Sequence, residues 1–166
     1  MIKAIETRYA GYRFRSRLEA RWAIYLDKLG IKFMYELQGY EVFPGVWYLP
    51  DFYLPQWDCY AEVKPTELTK IEFDKCCALP KRCILLDGMP EWDRGYYLTG
   101  TDIWDEDTYT KYKSGTMYGR VELGNSAIKG EPWFLLNDEP GRLLFLIEAE
   151  NAAKSARFEH GEAYWL

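Results

Sequence analysis

The stretch YLPDFYLPQWDCYAEVKP, Tyr48 to Pro65, constrains this chain more than any other. It reads as two buried strands, yet it carries Asp51, Glu62 and Lys64. A buried charge costs several kcal/mol unless it is paired or holds a metal. Alternate residues of a strand share a face. Tyr60, Glu62 and Lys64 therefore point one way, and the small apolar set Cys59, Ala61 and Val63 points to the core. Asp51 falls at the end of the preceding strand or at a bulge, where Pro50 bars regular pairing. The connection to the next strand is short, so the two strands are neighbours and Asp51 comes beside Glu62.

Two converging carboxylates repel unless a cation lies between them. Hard oxygen ligands select Mg²⁺ or Mn²⁺. Such an ion would bridge Asp51 and Glu62 and take the Val63 carbonyl and waters. Lys64 would then reach a metal-bound water, to orient it, help deprotonate it or stabilise a phosphoryl transition state. The competing readings are a turn aspartate after Pro50 and an exposed cross-strand ladder of Glu62 and Lys64.

The flanking segments place this pair in a fold. SRLEARWAIYLDKL, residues 16–29, predicts a helix with Leu18, Trp22, Tyr25, Leu26 and Leu29 on one face. Ser16 is its N-cap and Gly30 its stop. KFMYELQGYEVFPG, WYLPDFYLP and DCYAEVK predict three strands. Thr66 is the expected cap of a helix over ELTKIEFDKCCAL, ended by Pro80. RCILLDG predicts a strand in a sheet covered on both faces. The order is α-β-β-β-α-β, an α/β chain with a mixed sheet flanked by helices. Beyond it, GYYLTGTDIW and EPWFLLND predict strands, RLLFLI fits strand or helix, and EAENAAKSARFEH predicts a helix. The segment 105–130 has no clear pattern. No repeat, linker or boundary divides residues 1–166, so one domain is expected.

These residues resemble a known family. Pro50-Asp51 followed by Glu62-Val63-Lys64 is similar to the PD-(D/E)xK nuclease superfamily, the restriction-endonuclease-like fold. The set RFRSRLEARWA, YLPDFYLP and AEVKP resembles small single-domain proteins of phage and mobile elements. The likeness to transposase-type endonuclease subunits and Holliday-junction resolvases is more distant. The resemblance covers residues 8–88 as a core, with 89–166 as a C-terminal extension. It implies that Glu19, on the first core helix, joins Asp51 and Glu62 as a metal ligand. Ser16-x-x-Glu19 is equally the pattern of a capping box. The implied function is a Mg²⁺- or Mn²⁺-dependent DNA endonuclease. The alternative is a catalytically silent nuclease fold that binds nucleic acid or protein, for example to interfere with a host defence system. A homodimer would supply the two sites that cutting both strands ordinarily needs.

Charge and composition narrow the partners. The net charge is −5, yet residues 1–35 hold eight basic residues against three acidic ones. A basic N-terminal patch on an acidic body suits one local anionic partner. Arg13, Arg15, Arg17 and Arg21 are the candidate phosphate contacts; a solvated helix face is the plainer reading. No apolar run approaches the roughly 20 residues of a membrane span, and the N-terminus lacks a signal-peptide core. The cytoplasm of a bacterial or phage-infected cell is the expected location. Cys59, Cys76, Cys77 and Cys83 form no C-x-x-C pair and His160 is the single histidine, which argues against zinc. Reduced thiols used as small hydrophobes are expected.

Overall fold

The structure is a computed structural model that describes residues 4–91, 96–98, 120–121 and 142–158. The chain opens with a hairpin, β1 (Thr7–Tyr9) and β2 (Tyr12–Phe14). Its two-residue turn holds Ala10 and Gly11 at φ 48° and 80°, the left-handed conformation that tight hairpins require. Sequence periodicity gave no sign of this hairpin.

Helix α1 (Arg17–Lys28) begins as expected at Ser16, whose hydroxyl accepts the Glu19 amide. It ends in a Schellman motif. Gly30, at φ 70°, donates to the Asp27 carbonyl at 3.0 Å, and Ile31 donates to Leu26 at 2.9 Å. Burial is wider than one stripe: Ala20, Trp22, Ala23, Ile24, Tyr25 and Leu26 are all buried. The reason is that α1 lies between the sheet and helix α3 (Arg142–Ser155).

Six strands form the main sheet. They are β3 (Met34–Tyr35), β6 (Phe52–Leu54), β7 (Cys59–Lys64), β8 (Cys83–Asp87), β9 (Tyr96–Leu98) and β10 (Arg120–Val121), in the spatial order β10-β9-β8-β7-β6-β3. β7 is central. It pairs antiparallel with β6 and parallel with β8, reached through helix α2 (Lys70–Cys77). The remaining pairs are antiparallel. Cys59, Ala61 and Val63 join Phe52, Ile84 and Leu86 under α1 and α3. Tyr60, Cys83 and Leu85 face Phe73, Cys76 and Leu79 on the α2 side. Full burial of large apolar side chains such as Trp22 and Phe52 contributes about 1.5–3 kcal/mol each. The Trp22 indole also donates to the Gly88 carbonyl at 2.9 Å, fixing α1 to the end of β8.

The described residues are therefore mixed α/β, with several sheets and three helices, as the sequence indicated at that level. Some boundaries differ. The first expected strand splits into β3 and β4 (Tyr40–Phe43), because Glu36 turns the chain at φ 47°. β4 then pairs with β5 (Val46–Tyr48) in a separate hairpin over the α2 face. WYLPDFYLP splits at Pro50, which has no amide to donate. α2 is capped by Thr69, not Thr66, since Thr69 and Glu72 complete a capping box. RLLFLI is helical and continuous with the next segment, and α3 stops at Ser155, with residues 156–158 outside the helix. EPWFLLND, most of 105–130 and His160 lie outside the described residues. No helix among the described residues is long and apolar enough to cross a membrane.

Candidate active site

Pro50 shapes the site. The β6–β7 register pairs Phe52 with Ala61 and Leu54 with Cys59. Continued by two residues, it would set Pro50 in a hydrogen-bonded pair with Val63. Proline cannot donate to the Val63 carbonyl, so the ladder stops. The Val63 amide goes instead to the Asp51 carboxylate, whose Oδ2 accepts it at 2.8 Å. The Asp51 amide in turn donates to Glu62 Oε2 at 3.3 Å. Each carboxylate is thus held by the backbone of the opposite strand. The Val63 carbonyl lies on the Asp51 side, because N–H and C=O of one strand residue point the same way.

Both carboxylates are buried, Asp51 at 8 % exposure and Glu62 at 3 %. An exposed charge ladder is therefore excluded for Glu62. Lys64 Nζ lies 3.1 Å from Glu62 Oε1 and 3.4 Å from Glu72 Oε1. Burial, and then the charge of Glu62, raise Asp51 well above the usual carboxylate range. Burial also raises Glu62, against the pull of Lys64 and of hydrogen bonds from Tyr48, Lys64 and the Asp51 amide. For Lys64, burial favours the neutral amine, but the Glu62 carboxylate outweighs it and the ammonium is retained. Burial and mutual repulsion thus disfavour charging Asp51 and Glu62 together, a cost that a bound cation would relieve.

Glu19 is buried as well, close enough to add to the rise at Asp51. Its oxygens are occupied. Ser16 donates to Oε1 at 2.6 Å; the Tyr35 hydroxyl at 2.5 Å and the Arg15 amide at 3.1 Å donate to Oε2. This is a variant of the capping box, with the Arg15 amide taken in place of that of Ser16.

The donor set suits a hard divalent cation in chemical type: buried carboxylate oxygens side by side and a carbonyl freed by Pro50. Among the described residues, no group of three or more aspartate, glutamate, histidine or cysteine side chains is gathered for a metal. The fit therefore rests on Asp51, Glu62 and the Val63 carbonyl. Glu19 stands beside them in its capping role.

The four arginines separate. Arg13 pairs with Glu6, and Arg15 with Glu36 at 2.6 Å. Arg21 donates to the Ala153 and Lys154 carbonyls at 2.8 and 2.5 Å. The Arg17 Nε is buried without a hydrogen-bond partner among the described residues. Arg17 and Arg21 leave α1 roughly 160–200° around the helix from Glu19. The structure does not bring them to the carboxylates.

Tyr35, Tyr48 and Glu72 are participants that the sequence reading missed. Thr69-x-x-Glu72 was a legible cap. The tyrosines carried no local signal, because their partners are distant in the chain. All four cysteines are free thiols. Burial pushes Cys59 and Cys77 up to about 12, so neither is a nucleophile near neutral pH. Comparison of the chain with protein-family models, curated proteins and solved structures returns no match.

Proposed function

We propose that this protein is a metal-dependent phosphodiesterase acting on nucleic acid, a DNA endonuclease in its expected form. The observation that carries the reading is the crossed arrangement of Asp51 and Glu62. Two buried carboxylates are held by each other's strand, with Lys64 on the outer one. Burying two neighbouring carboxylates is costly to a fold that needs only apolar packing, and a bound cation would offset that cost. The resemblance of Pro50-Asp51 and Glu62-Val63-Lys64 to PD-(D/E)xK nucleases supports the same reading, and a restriction-endonuclease-like core would follow from it.

Asp51, Glu62 and the Val63 carbonyl would hold Mg²⁺ or Mn²⁺, which as a Lewis acid supplies a nucleophilic water and offsets phosphoryl charge. Lys64, beside Glu62, would orient the water, help deprotonate it or stabilise developing negative charge. Glu19 holds the start of α1 in place near Asp51 and stands as an added anionic wall. Arg13, Arg15, Arg17 and Arg21, the phosphate contacts expected from the sequence, have no part at the carboxylates in this reading.

The second reading, a silent nuclease fold that binds without cutting, is favoured by one observation. No third acidic ligand joins Asp51 and Glu62 among the described residues. One experiment separates the two. Supercoiled, linear, branched and single-stranded DNA are incubated with wild type and Glu62→Gln in Mg²⁺, Mn²⁺ or EDTA. Metal-dependent cutting lost in Glu62→Gln is the expected result. Binding without cutting under every condition would select the silent fold.

A further inference from the structure

A cleft of about 350 Å³ opens between α1 and the C-terminal end of α3, lined by Arg17, Arg21, Lys154, Ser155, Arg157 and Phe158. Four of these carry positive charge, and no acidic residue lines it among the described residues. The charges are unevenly satisfied. Lys154 pairs with Glu150 at 2.7 Å. Arg21 covers the Ala153 and Lys154 carbonyls and lies over the Phe158 ring, 5.6 Å from its centroid. The buried Arg17 Nε has no hydrogen-bond partner among the described residues, and Arg157 is exposed. After burial, the nearby charge of Arg17 is what weakens the hold of Arg21 on its proton.

Gathering like charges costs Coulomb energy that a bound anion recovers. The last carbonyls of a helix would ordinarily repel an anion. Here Arg21 covers them, leaving Arg17 and Arg157 to face it. Two planar guanidinium forks match phosphate oxygens better than they match a point anion. The volume falls in the range of small-ligand clefts and accommodates a phosphodiester with adjoining sugar.

We propose that this cleft binds a backbone phosphate of a nucleic-acid strand, at a point separate from the carboxylate site. The inference deepens the nuclease reading and rests on it for the identity of the strand. Because Arg17 and Arg21 leave α1 on the flank away from Glu19, the strand is anchored at a second point rather than steered by these two arginines onto the carboxylates.

The test is binding of labelled single-stranded and duplex oligonucleotides to the full chain in EDTA, across a salt series. The wild type is compared with Arg157→Glu and with the Arg17→Gln, Arg157→Glu double variant. Arg21 is left intact because it holds α3, and thermal melts confirm that the variants fold. Arg157, being exposed, gives a variant that does not depend on packing. The double variant should bind at least about 10-fold more weakly, with the salt slope reduced by roughly 1.4–1.8, two contacts at 0.7–0.9 each. Unchanged affinity and slope in both folded variants would overturn the proposal. So would a melting shift from inorganic phosphate, lost in the double variant, with no oligonucleotide binding at all. Reading the binding in EDTA keeps the two ideas apart. Binding lost in the variants while wild type never cuts in Mg²⁺ leaves the cleft standing without the nuclease. Cutting by wild type with unaltered binding in the variants does the reverse.

Discussion

Replacing Asp51 by asparagine separates what the carboxylate costs the fold from what it does for a ligand. Asp51 is buried, and its Oδ2 accepts the Val63 amide at 2.8 Å. Asparagine keeps an oxygen for that bond. It removes the negative charge that Glu62 and Glu19 disfavour. Removing a buried charge that burial and Glu62 both disfavour should stabilise the metal-free fold. A gain of about 1 kcal/mol raises Tm by roughly 2–4 °C for a chain of this size. In EDTA, Asp51→Asn should therefore melt above the wild type. Mg²⁺ should reverse the order. A cation at about 100 times its Kd stabilises the folded state by about 2.7 kcal/mol, or roughly 5–11 °C, and only the wild type should gain it. The assay is thermal unfolding followed by circular dichroism over a Mg²⁺ titration. A variant melting several degrees below wild type in EDTA would make Asp51 a structural hydrogen-bonding group. Equal Mg²⁺ shifts in both proteins would place the cation elsewhere.

Lys64→Ala should keep the Mg²⁺ shift in Tm, because an ammonium is not a ligand, and lose about 10²–10³ in cleavage rate; a wild-type rate would remove Lys64 from the chemistry. Asp51 and Glu62 are both raised in the folded state, so their contribution is full below the ordinary carboxylate range and lost as pH rises through the raised values. The Tm advantage of Asp51→Asn over wild type in EDTA should accordingly widen from mildly acidic to neutral pH, and an advantage that narrows would refute the assignment. Gly30→Ala meets no atom within 4 Å of the new Cβ but must hold φ 70°. It should cost roughly 1–2 kcal/mol by thermal or denaturant unfolding, and a smaller loss would mean that the turn after α1 relaxes.

Local chemistry was legible wherever partners lie within a few residues. Ser16 and Gly30 bound α1 because capping satisfies amides and carbonyls three or four positions away. The alternation of Cys59 to Lys64 assigned the two faces of β7, since a strand has no other way to order its side chains. Pro50 marked the end of the β6–β7 ladder through its missing amide. Tertiary structure decided the rest. The cap of α2 expected at Thr66 sits at Thr69, where the reciprocal bonds with Glu72 form. Glu19 fits a ligand position and a capping position equally well. Only the folded chain brings the Tyr35 hydroxyl and the Arg15 amide to its carboxylate. Arg21 has the same charge as Arg17, yet helix α3, more than a hundred residues further on, takes its donors. Periodicity reports which face of an element is apolar. It does not report which distant polar groups arrive there, and those arrivals determine which buried charges are satisfied and which remain to hold a ligand.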